Sequence, residues 1–273
     1  MKPTPKKSPF GFGWRPDLPD TRDRAYSAPF GVLQALPPKI DLRPKCPPIV
    51  NQGALGSCTA NAIASAHFFD QKKQAAKKPF QPSRLFIYYN ERKMEGTIPV
   101  DSGAYIRSGF KSIAKEGVCP ESIWKYTIPQ FTTKPPAVTY KDALKHQALQ
   151  YMRVQQTLGQ LRGCIASGFP FVFGFTVYES FQSPSVASTG IVPLPSNGEA
   201  VLGGHAVMAV GYNDAKQHFI VQNSWGTGWG EKGFFYMPYS YLTDVDLAAD
   251  FWTVTTVEVP SHSHLANSPT ANP

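Results

Sequence analysis

Cys58 lies where a loop broken by glycines turns into a run of small and apolar residues, in the stretch NQGALGSCTANA that begins at Asn51. A cysteine in the first turn of a helix sits at the positive end of the peptide dipoles, which favours thiolate over thiol. Thiolate is the attacking form of cysteine. A cysteine on its own is as readily a small core residue, so the question is what else the chain offers. There are six histidines, at 67, 146, 205, 218, 262 and 264. His67 is nine residues further along the same predicted helix, more than two turns away and out of reach of the sulfur. His146 falls in a charged segment that reads as surface, His218 lies beside the turn NDAKQH, and His262 and His264 belong to a tail poor in apolar residues. His205 opens the predicted strand HAVMAVGY behind the glycine-rich LGG and is placed to face a cleft.

A general base needs a partner to orient it. Asn223 ends the next predicted strand, in QNSWGTGWG. If 204–212 and 217–224 pair as a hairpin, Asn223 accepts from one ring nitrogen of His205 and leaves the other for Cys58, with Trp225 covering the bond. This is the logic of a nucleophile–base–orienter triad with an amide in third place. Gln52, six residues before the cysteine, offers a side-chain amide. Together with the backbone N–H of Cys58 it makes two donors for a developing oxyanion. The chemistry described is acyl transfer through a thiol.

The elements that must hold these groups follow from the pattern. A buried helix is expected from Cys58 to about Phe69, a second after Ser83 ending at Gly96, a third over about 104–117, and a short one from Thr157 to about Ser167. The proline-bearing stretch 127–142 reads as a linker. From FPFVFGFTVY onward the period changes to that of strands, through HAVMAVGY, HFIVQNSW, GFFYMPY and FWTVTTVEV. Helices first and strands second indicate an α+β protein with a helical half and an antiparallel half, and a cleft between the halves is the natural place for a site.

The 273 residues are 42% hydrophobic and 17% charged, enough for a substantial core. The net charge of +8 comes from scattered lysines and arginines without a motif for base or phosphate readout, so no nucleic-acid partner is expected. No stretch has the apolar length of a membrane helix, and no membrane partner is expected. The N-terminus is basic without an apolar core, unlike a signal peptide. That fits a cytoplasmic chain, or a secreted one whose leader has been removed. The four cysteines, 46, 58, 119 and 164, lack the spacing of a zinc site. No metal or organic cofactor is expected, and the chain is expected to be a monomer.

These motifs resemble the papain family of cysteine peptidases, its bacterial members in particular. NQGALGSCTANA is similar to the family's NQGxCGSCWAF, GGHAVMAVGY to xHAVxxVGY, and QNSWGTGWGEKGFFYM to NSWGxxWGxxGY. IDLRPK resembles the xDWR opening of the mature domain, and GVCPESIWKY a further family segment. The order Cys58, His205, Asn223, with 147 and then 18 residues between them, also fits. The resemblance covers residues 38–259. It implies a two-lobed fold with a helical lobe (about 50–145) and an antiparallel, β-barrel-like lobe (about 146–259), together forming a domain over 36–259. It implies Cys58 as nucleophile stored as thiolate beside imidazolium, His205 as base and acid, Asn223 as orienter and Gln52 in the oxyanion hole. Ser102 and Gly103 stand where the family has a glycine pair that binds substrate backbone on the non-primed side. Tyr105, Gly174, Ala206 and Ala249 are candidates for the S2 pocket, and Trp225 for the cleft wall. The family's cysteine three residues before the nucleophile is Leu55 here, the aromatic after it is Thr59, and Gly204 precedes the histidine. The resemblance leaves a Cys46–Cys119 bridge open, while Cys164 reads as a core helix residue.

The implied activity is endopeptidase hydrolysis of polypeptide substrates. An exopeptidase, transpeptidase or isopeptidase on the same fold is the alternative, since the loop 181–203 is long enough to narrow a cleft. A peptide-binding protein that does not cleave is a second. Residues 1–35, rich in Pro, Gly and charge with aromatics at Phe10, Phe12, Trp14, Tyr26 and Phe30, are expected to form an extended pro-segment laid through the cleft, making the chain a zymogen. The tail 260–273 is expected to fray.

Overall fold

The computed structural model describes residues 8–259. Lys6, Lys7, His262, His264 and the tail expected to fray lie outside them. The helical half is built around α2 (Cys58–Lys73), with α3 (Arg84–Glu95), α4 (Ile106–Lys115) and α5 (Ala137–Ala143) around it. The small side chains of Ala60, Ala62, Ala64 and Ala66 let α2 lie at the centre of the molecule, between α3 and α4 on one side and the sheet on the other. A helix in that position is buried on nearly every face.

Ser83 caps α3 by accepting from Phe86 N, and Gly96 closes it in the left-handed conformation. α4 begins at Ile106 rather than near 104, because Gly103 is left-handed, Ala104 bridges to Trp14, and Tyr105, the N-cap, is extended. The stretch 127–142 is not a plain linker. After Pro136 the chain turns into α5, and Thr139 Oγ1 donates to Pro136 O within that first turn.

The sheet contains β1 (Ala25–Tyr26), β2 (Lys39–Asp41), β3 (Ala148–Val154), β4 (Phe171–Tyr178), β5 (Val201–Asn213), β6 (His218–Gln222), β7 (Phe234–Pro238) and β8 (Ala248–Val257). Its order is β1-β3-β8-β4-β5-β6-β7, with β2 added to β5. All pairs are antiparallel except β1 with β3. The expected barrel-like lobe is corrected here. The sheet is open, since its path ends on the two-residue β1 and on β7, and these two ends do not pair.

Alternation along β4 and β5 divides the interior in two. Val172, Ala206, Met208 and Val210 pack with α2, whereas Phe171, Phe173, Phe175, Val207 and Ala209 form the core of the β half. That second core is closed by α6 (Leu158–Ala166), α7 (Pro184–Thr189) and α8 (Tyr239–Thr243). α6 carries Cys164, which is fully buried.

Residues 25–34 are built into this half. β1 adds to β3, α1 (Phe30–Gln34) packs on α6, and Tyr26 and Ala28 are buried in the β core. All four cysteines are free thiols, so the Cys46–Cys119 bridge is absent.

One buried carboxylate on α2 has no hydrogen-bond partner among the described residues. Both oxygens of Asp70 are in this state, and burial pushes its carboxyl up to about 7, with Lys73 offsetting part of the effect. A carboxyl raised in the folded state supports the fold fully below its ordinary value near 4. That support is lost as pH rises through 7. Asp70→Asn is therefore expected to raise the melting temperature at pH 8, by an amount corresponding to roughly 2 kcal/mol, and to change it little at pH 4. Thermal melts of the two chains at both pH values check this.

Candidate active site

Cys58 opens α2, and the loop before it is held from three sides. Asp101 accepts from Gly56 N at 3.0 Å with one oxygen and from the Tyr88 hydroxyl with the other. Ser57 and Tyr126 share a hydroxyl–hydroxyl bond of 2.6 Å, and Tyr126 also donates to Gln52 O. Gln52 N in turn donates to Ser224 O, and Ser224 Oγ donates to Gln52 Oε1 at 2.6 Å. This last pair ties the loop before α2 to the segment after β6, and so fixes the two halves against each other at the site.

His205 lies inside β5, which starts at Val201. The sequence-based expectation that it opens the strand is corrected, because Val201–Gly204 already pair with β4. The hairpin of β5 and β6 forms with Met208 opposite Gln222, which brings the residues beyond it side by side. His205 Nε2 is 2.8 Å from Asn223 Oδ1. That oxygen also accepts from Ser224 N at 2.9 Å, so it is an acceptor and Nε2 must carry the ring hydrogen. Nδ1 then holds the lone pair, and it is buried without a hydrogen-bond partner among the described residues. Trp225 stacks on the imidazole with centroids 4.7 Å apart, and Phe175 meets the ring edge-on from the β core.

The cleft is filled by the chain's own residues 10–17. Phe10 stacks on Trp225 at 4.6 Å and 4°, and Phe12 approaches His205 edge-on. Gly11 O accepts from Gln52 Nε2 at 3.0 Å, so a strap carbonyl occupies the donor expected to serve an oxyanion. Gly13 passes between the halves. Its N–H donates to Gly204 O at 3.0 Å, and its carbonyl accepts from Ala104 N at 2.7 Å. Trp14 bridges Ala104 in parallel, and Arg15 N donates to Ala104 O. Beyond them, Asp17 receives the Trp252 indole at 2.9 Å and Arg107 N at 3.2 Å. Burial and the nearby Asp250 push the Asp17 carboxyl up to about 6.

This cover sets the charge state of the site. Burial drives the Cys58 thiol up to about 12, against backbone hydrogen bonds from Ala206, Gly13 and Thr59 that act the other way. Burial also drives His205 down to about 4, with the Asn223 bond opposing. Exclusion of water thus outweighs the helix dipole, and the strapped site holds a neutral thiol beside a neutral imidazole. Burial in the covered cleft works against the thiolate–imidazolium pair expected from the sequence.

The expected binding residues lie along the same cleft. Gly103, at φ +66°, faces the strap so closely that a Cβ there would stand 2.0 Å from Gly13 O. Ser102 lines the cavity beside the strap, its hydroxyl donating to Thr97 Oγ1 at 2.8 Å. The Tyr105 ring stacks under the Arg15 guanidinium. Gly174 is opposite Ala206 on β5 and Ala249 on β8, so these three meet on one patch of sheet. The sequence reasoning missed Ala104, whose backbone pairs with the strap, and Asp250, which receives the Trp14 indole N–H at 3.1 Å. The glycines of FGFGW were the available signal for the first; nothing local marks the second.

The family model described as papain family cysteine protease matches residues 36–250. The chain belongs to that family. It is 44% identical to a peptidase C1-like protein of Acanthamoeba polyphaga mimivirus, over 91% of this chain and 88% of that relative. It is 44% identical to xylellain, a cysteine protease from Xylella fastidiosa, whose crystal structure superposes with a TM-score of 0.86 over 93% of this chain and 98% of the other. Procathepsin L 3 of the Tenebrio molitor larval midgut shares the fold, with a TM-score of 0.71 at 19% identity, over 91% of this chain and 76% of the other. The protein is a papain-family cysteine peptidase, a hydrolase of polypeptides.

The packing around Gly13 predicts how to open the site. A Cβ on Gly13 would stand 1.7 Å from Gly56 O, a backbone atom that cannot yield. Gly13→Val is expected to expel the strap and raise the rate at which iodoacetamide alkylates Cys58 at pH 7 by tenfold or more. Mass spectrometry of the Cys58 peptide against time gives the rate in both chains.

Proposed function

We propose that the chain is a cysteine endopeptidase held latent by residues 10–17. The observation that carries the mechanism is the paired acceptance by Asn223 Oδ1, from Ser224 N–H and His205 Nε2–H. It leaves His205 Nδ1 with the lone pair, the form that takes a proton from a thiol. Once the strap leaves, water returns and the desolvation that keeps both groups neutral is relieved. The Sγ proton passes to Nδ1, and the thiolate attacks the peptide carbonyl carbon. Gln52 Nε2–H and the Cys58 N–H receive the oxyanion. Imidazolium protonates the leaving amine, and a thioester remains. His205 then takes a proton from water, whose oxygen attacks the thioester and frees the acid and the thiol.

Latency rests on the strap's geometry. Gly11 O takes the Gln52 donor, and the Gly13 N–H is engaged by Gly204 O, so the strap is pinned across the cleft from both sides. The path of the strap also favours endopeptidase over exopeptidase action. A continuous chain enters beside Gln182, where Gln182 Nε2 donates to Ser8 Oγ, crosses the site and leaves past Ala104 toward Asp17. The loop 181–203 borders this path without closing it. Reading residues 1–35 as one pro-segment is a further part of the proposal. Its inhibitory work falls to residues 10–17, and residues 25–34 brace the β half.

Hydrolysis of a fluorogenic dipeptide amide, apolar at P2 and arginine at P1, under reducing conditions near pH 6, tests the proposal. Gly13→Val is expected to exceed the full-length wild type by at least tenfold, and adding Cys58→Ala to abolish turnover. Deleting residues 1–20 should also activate. Deleting 1–35 should in addition lower the melting temperature, because β1 and α1 go with it. Equal rates with and without the Cys58 sulfur would leave a peptide-binding protein.

A further inference from the structure

The indole of Trp14 lies against two glycines of the sheet. A Cβ on Gly174 would stand 1.9 Å from its Cε2, and one on Gly204 2.8 Å from its Cε3. Any side chain at either position would occupy the indole's place, so the pocket is cut for a large flat ring. Trp14 itself is almost fully buried there.

The end of the pocket is polar. Asp250 Oδ2 accepts from Trp14 Nε1 at 3.1 Å and from Asp17 N at 2.7 Å, while Oδ1 accepts from Arg153 Nη2 at 2.9 Å. Asp250 is 2% exposed and adopts φ +58°, a left-handed conformation uncommon outside glycine that aspartate is among the residues to accept. The carboxylate is thus held in one orientation, with one oxygen on an arginine and the other turned to the pocket.

When the strap withdraws, Oδ2 loses both of its donors. Water takes their place in the opened cleft, and a ligand that refills the pocket expels it, so a ligand that restores the bond is favoured over one of the same shape that leaves the oxygen without a donor. Arg153 pairs with Oδ1 while its other nitrogen lies 3.5 Å from Asp23, and Oδ2 is met in the covered state by a neutral indole N–H, which is the donor the pocket is shaped for. We infer that Asp250 makes this pocket select a large aromatic side chain that ends in an N–H, tryptophan above all, at the P2 position of the substrate. The inference rests on the proposed peptidase reading, with the strap's Trp14 showing how such a side chain sits.

The test reads binding in a full-length chain without its nucleophile, so that a missing preference and a missing hydrolysis are told apart. Gly13→Val/Cys58→Ala is titrated calorimetrically with acetylated dipeptide amides that carry arginine at P1 and differ only at P2. The P2 side chains are tryptophan, 3-benzothienylalanine (the same shape with sulfur in place of N–H), phenylalanine and arginine. Tryptophan is expected to bind at least tenfold more tightly than the benzothienyl isostere, and in Asp250→Gly, which suits the positive φ, that ratio should fall to near one. Should Asp250→Gly fail to fold, the isostere pair decides alone. Equal affinities for the pair, no binding by either, or arginine bound more tightly than tryptophan would overturn the inference.

Discussion

The covered site depends on a backbone passing through a slot with no room for a Cβ. Gly13 runs between Gly56 at the start of the nucleophile loop and Gly103 on the opposite wall, and a Cβ on either Gly13 or Gly103 would fall 2.0 Å or less from a backbone oxygen. Gly11 is under the same restriction, with its Cβ position 2.4 Å from Leu55 C. The alternation Phe-Gly-Phe-Gly-Trp answers this. The glycines carry the chain through the slot, and the aromatics between and beyond them take the pockets on Trp225, beside His205 and on Gly174.

That fit explains why the nucleophile is neutral. The sulfur has a helix N-terminus and three backbone donors near it, an arrangement that in a wet cleft would stabilise thiolate. With the strap in place there is no water to share the charge, and transferring a proton from sulfur to a buried imidazole would create two charges in an apolar slot lined by Phe12, Phe175 and Trp225. The same groups are inert or reactive according to whether a short stretch of glycines and aromatics lies across them. The proposed mechanism requires no rearrangement here, since His205, Asn223, Ser224 and Gln52 already hold their hydrogen bonds in the covered state.

Much of this was legible in the sequence because it depends on local rules. Ser83 and Gly96 bound a helix by capping, and the β5–β6 hairpin follows from two runs of strand-forming residues around NDAKQ. The pairing of His205 with Asn223, and Cys58 at the head of α2, followed from their motifs. What escaped was set by distant parts of the chain. β5 begins four residues before His205 because β4 pairs with it, the stretch after Pro136 turns helical, and the sheet stays open because its path ends on strands that do not pair with each other. Asp250 was invisible for the same reason. Its importance comes from Trp14, 236 residues away, and from a left-handed backbone that no neighbouring residue signals.

The two ends of the strap are anchored by different physics. On the Phe10 side the contact is aromatic stacking on Trp225, which depends little on pH or salt. On the Asp17 side it is a buried carboxyl among Asp250, Arg107, Arg153 and the Trp252 indole. Asp17 is raised to about 6 there, so docking takes up a proton, and that contribution is complete below about pH 4 and fades as pH rises through 6. The end whose docking weakens as pH rises is also the end that carries Trp14. Loosening it would withdraw the indole from Gly174 and Asp250 first, while Phe10 still holds the other end on Trp225. The pocket with the fixed acceptor would then open before the oxyanion donor of Gln52 is released from Gly11, so that recognition of an incoming side chain could precede exposure of the chemistry.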